Sequence, residues 1–443
     1  MAQVNRDDDA TASFLHAATW HGSLDEAAAI LAEHPEIATA TIHGAAVLGD
    51  DATVRRLLEL DASNATALAA PYDAAPLVYL CLSRYLRLDK TRSDAFMAAA
   101  TALLDSGADP DSGFWTKGEH AELETALYGA AGVAHHAPLT ELLLERGANP
   151  NDEEAVYHSP ETYDNAPMKL LVQTGKLTDE NLALMLIRKH DWHDYDGAKF
   201  LLEYGVDPNI ERRRGWRAMN HAVARDNRIE IIELLLDHGA DPTVSHHGQS
   251  AIAMAARRGR GDLLVLFERR GIPIELSGGD RLMAACARND LKAIQSITEI
   301  EPELVDELGA NGGRALAEFA GNGNTDGVRH LLDLGVKADA RFIDGDGYWE
   351  VAPNSTALHV AAWRAQHAVV RLLLDRGAPV DAPDGKGRTP LALAVRACVD
   401  SYWADRRSPE SVEALLAVGA STSGVQFPSG YAEVDKLLQS HIA

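Results

Sequence analysis

The feature that most constrains this chain is a phrase that returns along its length. A Leu-Leu pair is followed three residues later by Gly, then usually by Ala or Val with Asp, Asn or Pro behind. Clear copies are LLDSGADPD from Leu103, LLERGANPN from Leu143, LLEYGVDPN from Leu201, LLDHGADPT from Leu235, LLDLGVKAD from Leu331 and LLDRGAPVD from Leu373, and LLAVGAS from Leu415 closes the series. Each part has a physical role. The leucines seal one face of a helix. The Gly stops that helix, because the residue just past its end adopts a left-handed conformation that a Cβ disfavours. Asp-Pro or Asn-Pro then favours a turn. Gly205 and Gly239 are 34 residues apart, and Gly239 and Gly271 are 32 apart.

A second phrase lies between the leucine pairs: a small polar residue, an apolar residue, two alanines, then Gly or a substitute. It is clearest in FLHAATWHG (Phe14–Gly22), TALHVAA (Thr356–Ala362) and GRTPLALAV (Gly387–Val395). Two adjacent alanines let neighbouring helices approach closely. The two phrases together resemble the ankyrin repeat family, whose unit is near 33 residues with a T-P-L-H-x-A signature. The resemblance covers nearly the whole chain, with weaker copies such as TALYGAAG from Thr125 and QSAIAMAARRG from Gln249.

The resemblance implies an all-α ankyrin-repeat solenoid, about eleven stacked helix–turn–helix units with an inserted helical segment. One unit cannot bury its own apolar face, so neighbours must stack. Ser13–His34 and Tyr431–Ser440 are expected to cap the stack, and Arg6–Ala10 to fray. Residues 1–152 read as N-terminal repeats with a cap, 153–200 as an irregular repeat with a helical insertion, and 201–443 as C-terminal repeats with long fingers and a cap.

Departures from the period mark special segments. Gly147 and Gly205 are 58 residues apart, one or two helices more than a standard unit. Pro167 suits the first turn of one added helix, and Thr178 caps another running from Asn181 to His190. HDWHDYD (His190–Asp196) then links to the next helix. Two later spacings, Gly335–Gly377 and Gly377–Gly419, are 42 residues each. Their surplus is RFIDGDGYWEVAPNS, read as an extended finger, and SYWADRRSPES, inserted between two helices. Aromatic-bearing insertions of this kind shape a site or cover an edge.

Composition narrows the partners. Asp and Glu total 66 against 41 Lys and Arg, a formal net charge of −25. That sign disfavours general binding to nucleic acid or an anionic membrane. No apolar run reaches the roughly 18 residues of a membrane helix. Cys81, Cys286 and Cys398 are widely separated and fit no metal spacing; Cys286 sits where a small buried residue is wanted. These features read as a soluble protein of a reducing compartment, the cytoplasm.

In the resembled family, partner contacts come from the turn before each unit and the two residues after the Ala-Ala pair. Transferred here, that rule gives Trp20 and His21, Gly132 and Val133, Ala224 and Arg225, Arg257 and Arg258, Ala287 and Arg288, Gly321 and Asn322, Trp363 and Arg364, and Arg396 and Ala397. Arginine recurs there from the sixth unit on, and Arg212, Arg213, Arg214 and Arg217 surround Trp216 in one turn. The functional reading is an Arg-lined concave face for an acidic protein, an acidic peptide or a small anionic ligand. The structural reading is that these arginines pair with acids on adjacent repeats.

The cluster Asp191, Trp192, His193, Tyr195 and Asp196 stands before the ERRRGW turn. It reads either as a solvated linker anchored by Trp192 or as one wall of a pocket whose other wall is residues 211–225. No metal site is expected. His190 and His193 lack a second ligand set, His16 and His359 read as structural hydrogen-bonders, and IDGDGYWE lacks the Glu that completes a calcium loop. Serine-hydrolase, Walker and dinucleotide fingerprints are missing, and no cofactor is expected. The leading expectation is therefore a non-enzymatic binding scaffold. Its rival is a small-molecule binder or atypical enzyme at residues 190–196 and 211–225.

Overall fold

The leucine phrase does what its chemistry demands. In the computed structural model, which describes residues 4–212 and 215–442, each pair lies on the second helix of a helix–turn–helix unit. Leu103, Leu143, Leu201, Leu235, Leu331, Leu373 and Leu415 have no solvent exposure. The glycines behind them take left-handed backbone, as at Gly147 (φ 101°) and Gly205 (φ 107°), where a side chain would be strained. The fold is all-α, an ankyrin-repeat solenoid with three short β-hairpins at its fingers. The hairpins pair β1 (Gly113–Trp115) with β2 (Leu123–Thr125), β3 (Ser245–His246) with β4 (Gln249–Ser250), and β5 (Arg341–Phe342) with β6 (Ser355–Thr356), all antiparallel.

The chain divides into two compact units, residues 1–240 and 241–443. In the first, helices Ile42–Leu48, Pro76–Cys81, Glu153–His158, Asp179–Asp191 and Ala218–Ala224 belong to an inner row of first helices. In the second, Ala251–Arg257 packs on Gly278–Ala287, and Gly313–Gly321 on Ala357–Trp363, which in turn meets Pro390–Val399. The buried alanines at these seams permit the close approach. Several glycines enforce it: a Cβ on Gly261 would lie 2.0 Å from the Ala287 carbonyl oxygen.

The turn between first and second helices also needs one left-handed residue. Gly49, Gly259 and Gly323 supply it without strain, whereas His135, His193, Asp226, Asn289 and Ala365 adopt it with a side chain. Except at Gly49, which is itself the C-cap, the residue just before is the C-cap of the first helix. In four repeats that C-cap is Arg: Arg225, Arg258, Arg288 and Arg364. A cation there meets the helix's negative end.

The 58-residue interval contains a complete extra repeat. Its first helix is Glu153–His158 and its second is Ala166–Gln173, with Pro167 in the opening turn. Leu171-Val172 stands where other units have Leu-Leu, and Gly175 (φ 67°) follows. The next unit pairs Asp179–Asp191, capped by Thr178, with Tyr195–Tyr204. Residues 153–200, set apart by the spacing, thus pack within the first unit. Arg6–Ala10, expected to fray, falls inside the helix Val4–Ala18.

The two long C-terminal segments fold back instead of extending. Trp349 from the first and Trp403 from the second meet Trp363 on the inner row, at centroid separations of 5.5 Å (Trp349–Trp403) and 5.4 Å (Trp363–Trp403). Phe342, Val351, Val360 and Leu393 complete this core. Trp403→Ala should therefore destabilise residues 241–443 by about 3–5 kcal/mol. Chemical denaturation followed by tryptophan fluorescence checks this, and a change under 1 kcal/mol would refute the covering role.

Candidate functional site

Charged residues need partners where the first helices of residues 1–240 press together, and they find them in a chain. His158 sits between Glu154 (3.2 Å) and Glu161 (2.8 Å). Glu161 pairs with Arg188, whose guanidinium lies 4.1 Å from the Tyr157 ring centroid. Arg188 reaches Asp191 at 2.5 Å. Asp191 accepts hydrogen bonds from His221 (2.8 Å) and from Arg225 Nε (2.6 Å). Charge alternates along the whole run.

Burial alone would raise the Asp191 carboxyl. The hydrogen bond from His221 and the charges of Arg225 and Arg188 outweigh it and hold this acid well below the usual carboxylate range. Burial alone would lower His158, yet Glu154 and Glu161 raise it to about 9. His190 is the contrast. Fully buried, with neither ring nitrogen hydrogen-bonded, it is pushed down to about 3 by burial and then by His221.

Asp191 of the HDWHDYD cluster thus meets the next first helix, Ala218–Ala224, through His221 and its C-cap Arg225. Trp216 packs edge-on against His221 at 5.1 Å. The other members serve elsewhere. The Trp192 carbonyl accepts from Tyr163 Oη at 2.9 Å, His193 occupies the left-handed turn (φ 51°), and the Tyr195 ring carries the Arg228 guanidinium at 5.5 Å. Asp196 lies in the first turn of the following helix. Arg213 and Arg214 lie outside the described residues. Asp194, absent from the sequence-based set, binds the fully buried Lys189 at 2.7 Å. The carboxylate faces salt-bridging groups of its own stack.

The arginine row is paired as well. Arg257 grips Asp280 (2.5 and 3.0 Å), Arg258 is buried on Glu318 (3.1 Å), and Arg288 pairs with Glu268. Trp363 and Arg364, expected on an open face, are 1% and 4% exposed. Trp363 donates from Nε1 to the Trp349 carbonyl at 2.7 Å, and Arg364 lies over the rings of Trp349 (4.4 Å) and Trp403 (5.6 Å). They are corrected to core positions because the two long segments fold over them. His359 bridges Thr356 and the Arg388 carbonyl (3.1 Å), as the signature position implies. His16 differs, meeting Tyr72 Oη from an exposed position. The acids missed in the sequence, Glu161, Glu268, Asp280 and Glu318, lie 20 or more residues from Arg188, Arg288, Arg257 and Arg258 respectively and carry no motif.

The ankyrin repeat profile matches this chain in three stretches, residues 127–246, 184–275 and 282–384. The chain belongs to the ankyrin repeat family. Among its relatives are a serine/threonine-protein kinase of Arabidopsis thaliana, 42% identical over 100 residues (23% of this chain, 20% of the relative), and a probable E3 ubiquitin-protein ligase of Oryza sativa subsp. japonica, 28% identical over 199 residues (42% and 36%). A putative ankyrin repeat-containing protein of Treponema pallidum is 26% identical over 158 residues (35% and 40%). The chain thus covers well under half of each relative's length. Among the described residues, no helix is long and apolar enough to cross a membrane.

Two outcomes follow from the charge run. Asp191→Asn leaves the half-buried guanidinium groups of Arg188 and Arg225 without their shared carboxylate and should cost about 3–5 kcal/mol in denaturant unfolding at pH 7. His158 has a folded pKa raised above its ordinary 6.5 to about 9. Its contribution is therefore complete below pH 6.5 and is lost as pH rises through about 9. The stability gap between wild type and His158→Gln should shrink between pH 7 and pH 10; a constant gap would show that the two carboxylates do not hold a charged imidazole.

Proposed function

We propose that the chain is a non-catalytic protein-binding scaffold whose residues 241–443 take an acidic segment of a partner on the inner row. The ankyrin family membership supports the scaffold reading. The observation that carries the acidic preference is the state of Arg257 and Arg288 on adjoining repeats. Arg257 keeps 48% of its side chain exposed, and Arg288 keeps 21%. Arg257 is held by Asp280, which keeps 20% of its side chain exposed, and Arg288 by Glu268, which keeps 48%. Such pairs contribute about 0–1 kcal/mol, so a partner's carboxylate replaces the internal one at little cost. Arg258 and Arg364 are committed to Glu318 and to the tryptophan core and do not contribute.

The rival pocket at residues 190–196 and 211–225 gains less support, since Asp191 is saturated by Arg188, His221 and Arg225. The test is affinity capture from a cell extract, followed by quantitative binding of whatever is retained. Affinity should fall steeply between 50 and 300 mM salt, as exposed charge contacts are screened. The double charge reversal Arg257→Glu/Arg288→Glu should weaken it by about tenfold or more. Unchanged binding by that folded variant overturns the acidic-partner reading and leaves the scaffold to be mapped elsewhere.

A further inference from the structure

The acid excess of this chain is unevenly placed. Residues 1–240 carry 39 Asp and Glu against 20 Lys and Arg, whereas residues 241–443 carry 27 against 21. The stretch from Asp105 to Asp164 holds 13 acids against Lys117 and Arg146. Arg146 pairs with Asp105 at 2.7 Å, and His158 and Arg188 serve Glu154 and Glu161. The finger of β1 and β2 stands in the middle of this stretch. The Thr116 N–H donates to the Glu122 carbonyl at 2.9 Å, and the Glu122 N–H donates to Thr116 Oγ1 at 2.8 Å, so residues 117–121 form a closed tip. Every residue of that tip is exposed. The base of the finger is tied to the next turn. The Asn149 N–H donates to Asp111 Oδ1 at 2.6 Å, and Thr125 Oγ1 donates to Asp152. Among the described residues, Asp109, Glu119 and Glu122 make no ion pair.

The hairpin register gives this finger two faces. Phe114 is directly opposite Glu124, and Trp115 is directly opposite Leu123. Opposed residues share a face, and successive residues alternate between faces. The Phe114 face turns inward. Phe114 stacks on Tyr72 at 4.6 Å and meets the edge of Trp20 at 6.0 Å, and Glu124 is 2% exposed. The other face turns to solvent, with Trp115 65% exposed and Leu123 38% exposed. A single surface leucine needs no explanation. A tryptophan opposed to a leucine on one ordered face is different, because so exposed an indole contributes little to folding. Phe114 clamps the strand from behind, so a partner meets Trp115 on backbone that is already fixed. Tryptophan is among the side chains most enriched where binding energy concentrates.

We propose that the outward face of this finger docks a basic segment of a partner protein. An apolar side chain of that segment packs on Trp115 and Leu123, and Lys or Arg residues beside it meet the acids of the tip and base. Charge complementarity selects this occupant. Glu119 and Glu122 stand in the tip between Trp115 and Leu123 in the chain, and Asp109 and Asp111 precede the first strand. The acid-rich stretch around them extends the negative field beyond direct contact. An acidic segment is repelled by the same field. Lys and Arg also suit an indole, since their stems cover apolar surface and their charge is attracted to the ring face. This surface does not rest on the acidic-partner reading of residues 241–443: it belongs to the other compact unit and selects the opposite charge.

The test is fluorine NMR of the full chain labelled with fluorotryptophan, with the Trp115 signal assigned through Trp115→Phe. Three peptides serve as probes: Ac-Arg-Leu-Arg-Leu-Arg-NH2, its acidic counterpart Ac-Glu-Leu-Glu-Leu-Glu-NH2 and its polar counterpart Ac-Arg-Ser-Arg-Ser-Arg-NH2. The first should shift the Trp115 signal saturably, and both counterparts should bind more weakly. With the first peptide carrying a fluorescent label, anisotropy then compares variants. Trp115→Ala and the double reversal Glu119→Lys/Glu122→Lys should each weaken binding by about tenfold or more. All three side chains are exposed, so both variants should melt with the wild type, and matching melts separate lost binding from lost fold. No saturable shift with the first peptide, equally tight binding of either counterpart, or undiminished binding by either variant would overturn the proposal.

Discussion

A helix pair of this kind cannot bury its own apolar face, and everything else in the molecule answers to that constraint. The leucine phrase puts a fully buried leucine on each second helix that carries it, and its neighbours supply the other half of the core. First helices then approach through alanine and glycine. Their C-terminal ends must be satisfied at nearly the same place in every unit. The left-handed residue of the turn and the arginine before it do this in four repeats. The positions that a partner-binding rule marks are thus also the positions where the helix needs a cation. Recurrence of Arg there is explained by the repeat before any partner is invoked.

The same constraint explains the charge run through Glu154, His158, Glu161, Arg188, Asp191, His221 and Arg225. Close packing of first helices removes water from polar side chains that face the seam. Each such charge is tolerable only if the next helix offers its opposite. A strongly acidic chain supplies those opposites readily, and a net charge of −25 therefore coexists with Arg188, Arg225, Arg257, Arg258 and Arg288 each held by a carboxylate. Asp191 shows the consequence most clearly. The sequence presents it as an acid in a cluster resembling a pocket wall, whereas in the fold it is the node joining Arg188, Arg225 and the buried imidazole of His221.

What was legible in the sequence follows from how local each signal is. The Leu-Leu pair, its glycine and the Asp-Pro turn lie within nine residues, so helix, stop and turn are all readable. Pro167 and Thr178 are equally local, and both open the helices expected of them. The extra repeat was hidden because Val172 replaces a leucine and its glycine, Gly175, lies 28 residues after Gly147 and 30 before Gly205. Non-local facts were out of reach. Nothing near Trp363 announces that residues 341–355 and 401–411 will cover it. The Arg258–Glu318 pair spans 60 residues. Glu124 reads as one more surface acid in EHAELET, and only its register opposite Phe114 turns it inward.

That last case separates two kinds of buried charge. Asp191, Glu318 and Lys189 are buried with a partner, and removing either side exposes a cost the pair was built to cancel. Glu124 is buried beside like charges, so folding gains nothing from its ionised form.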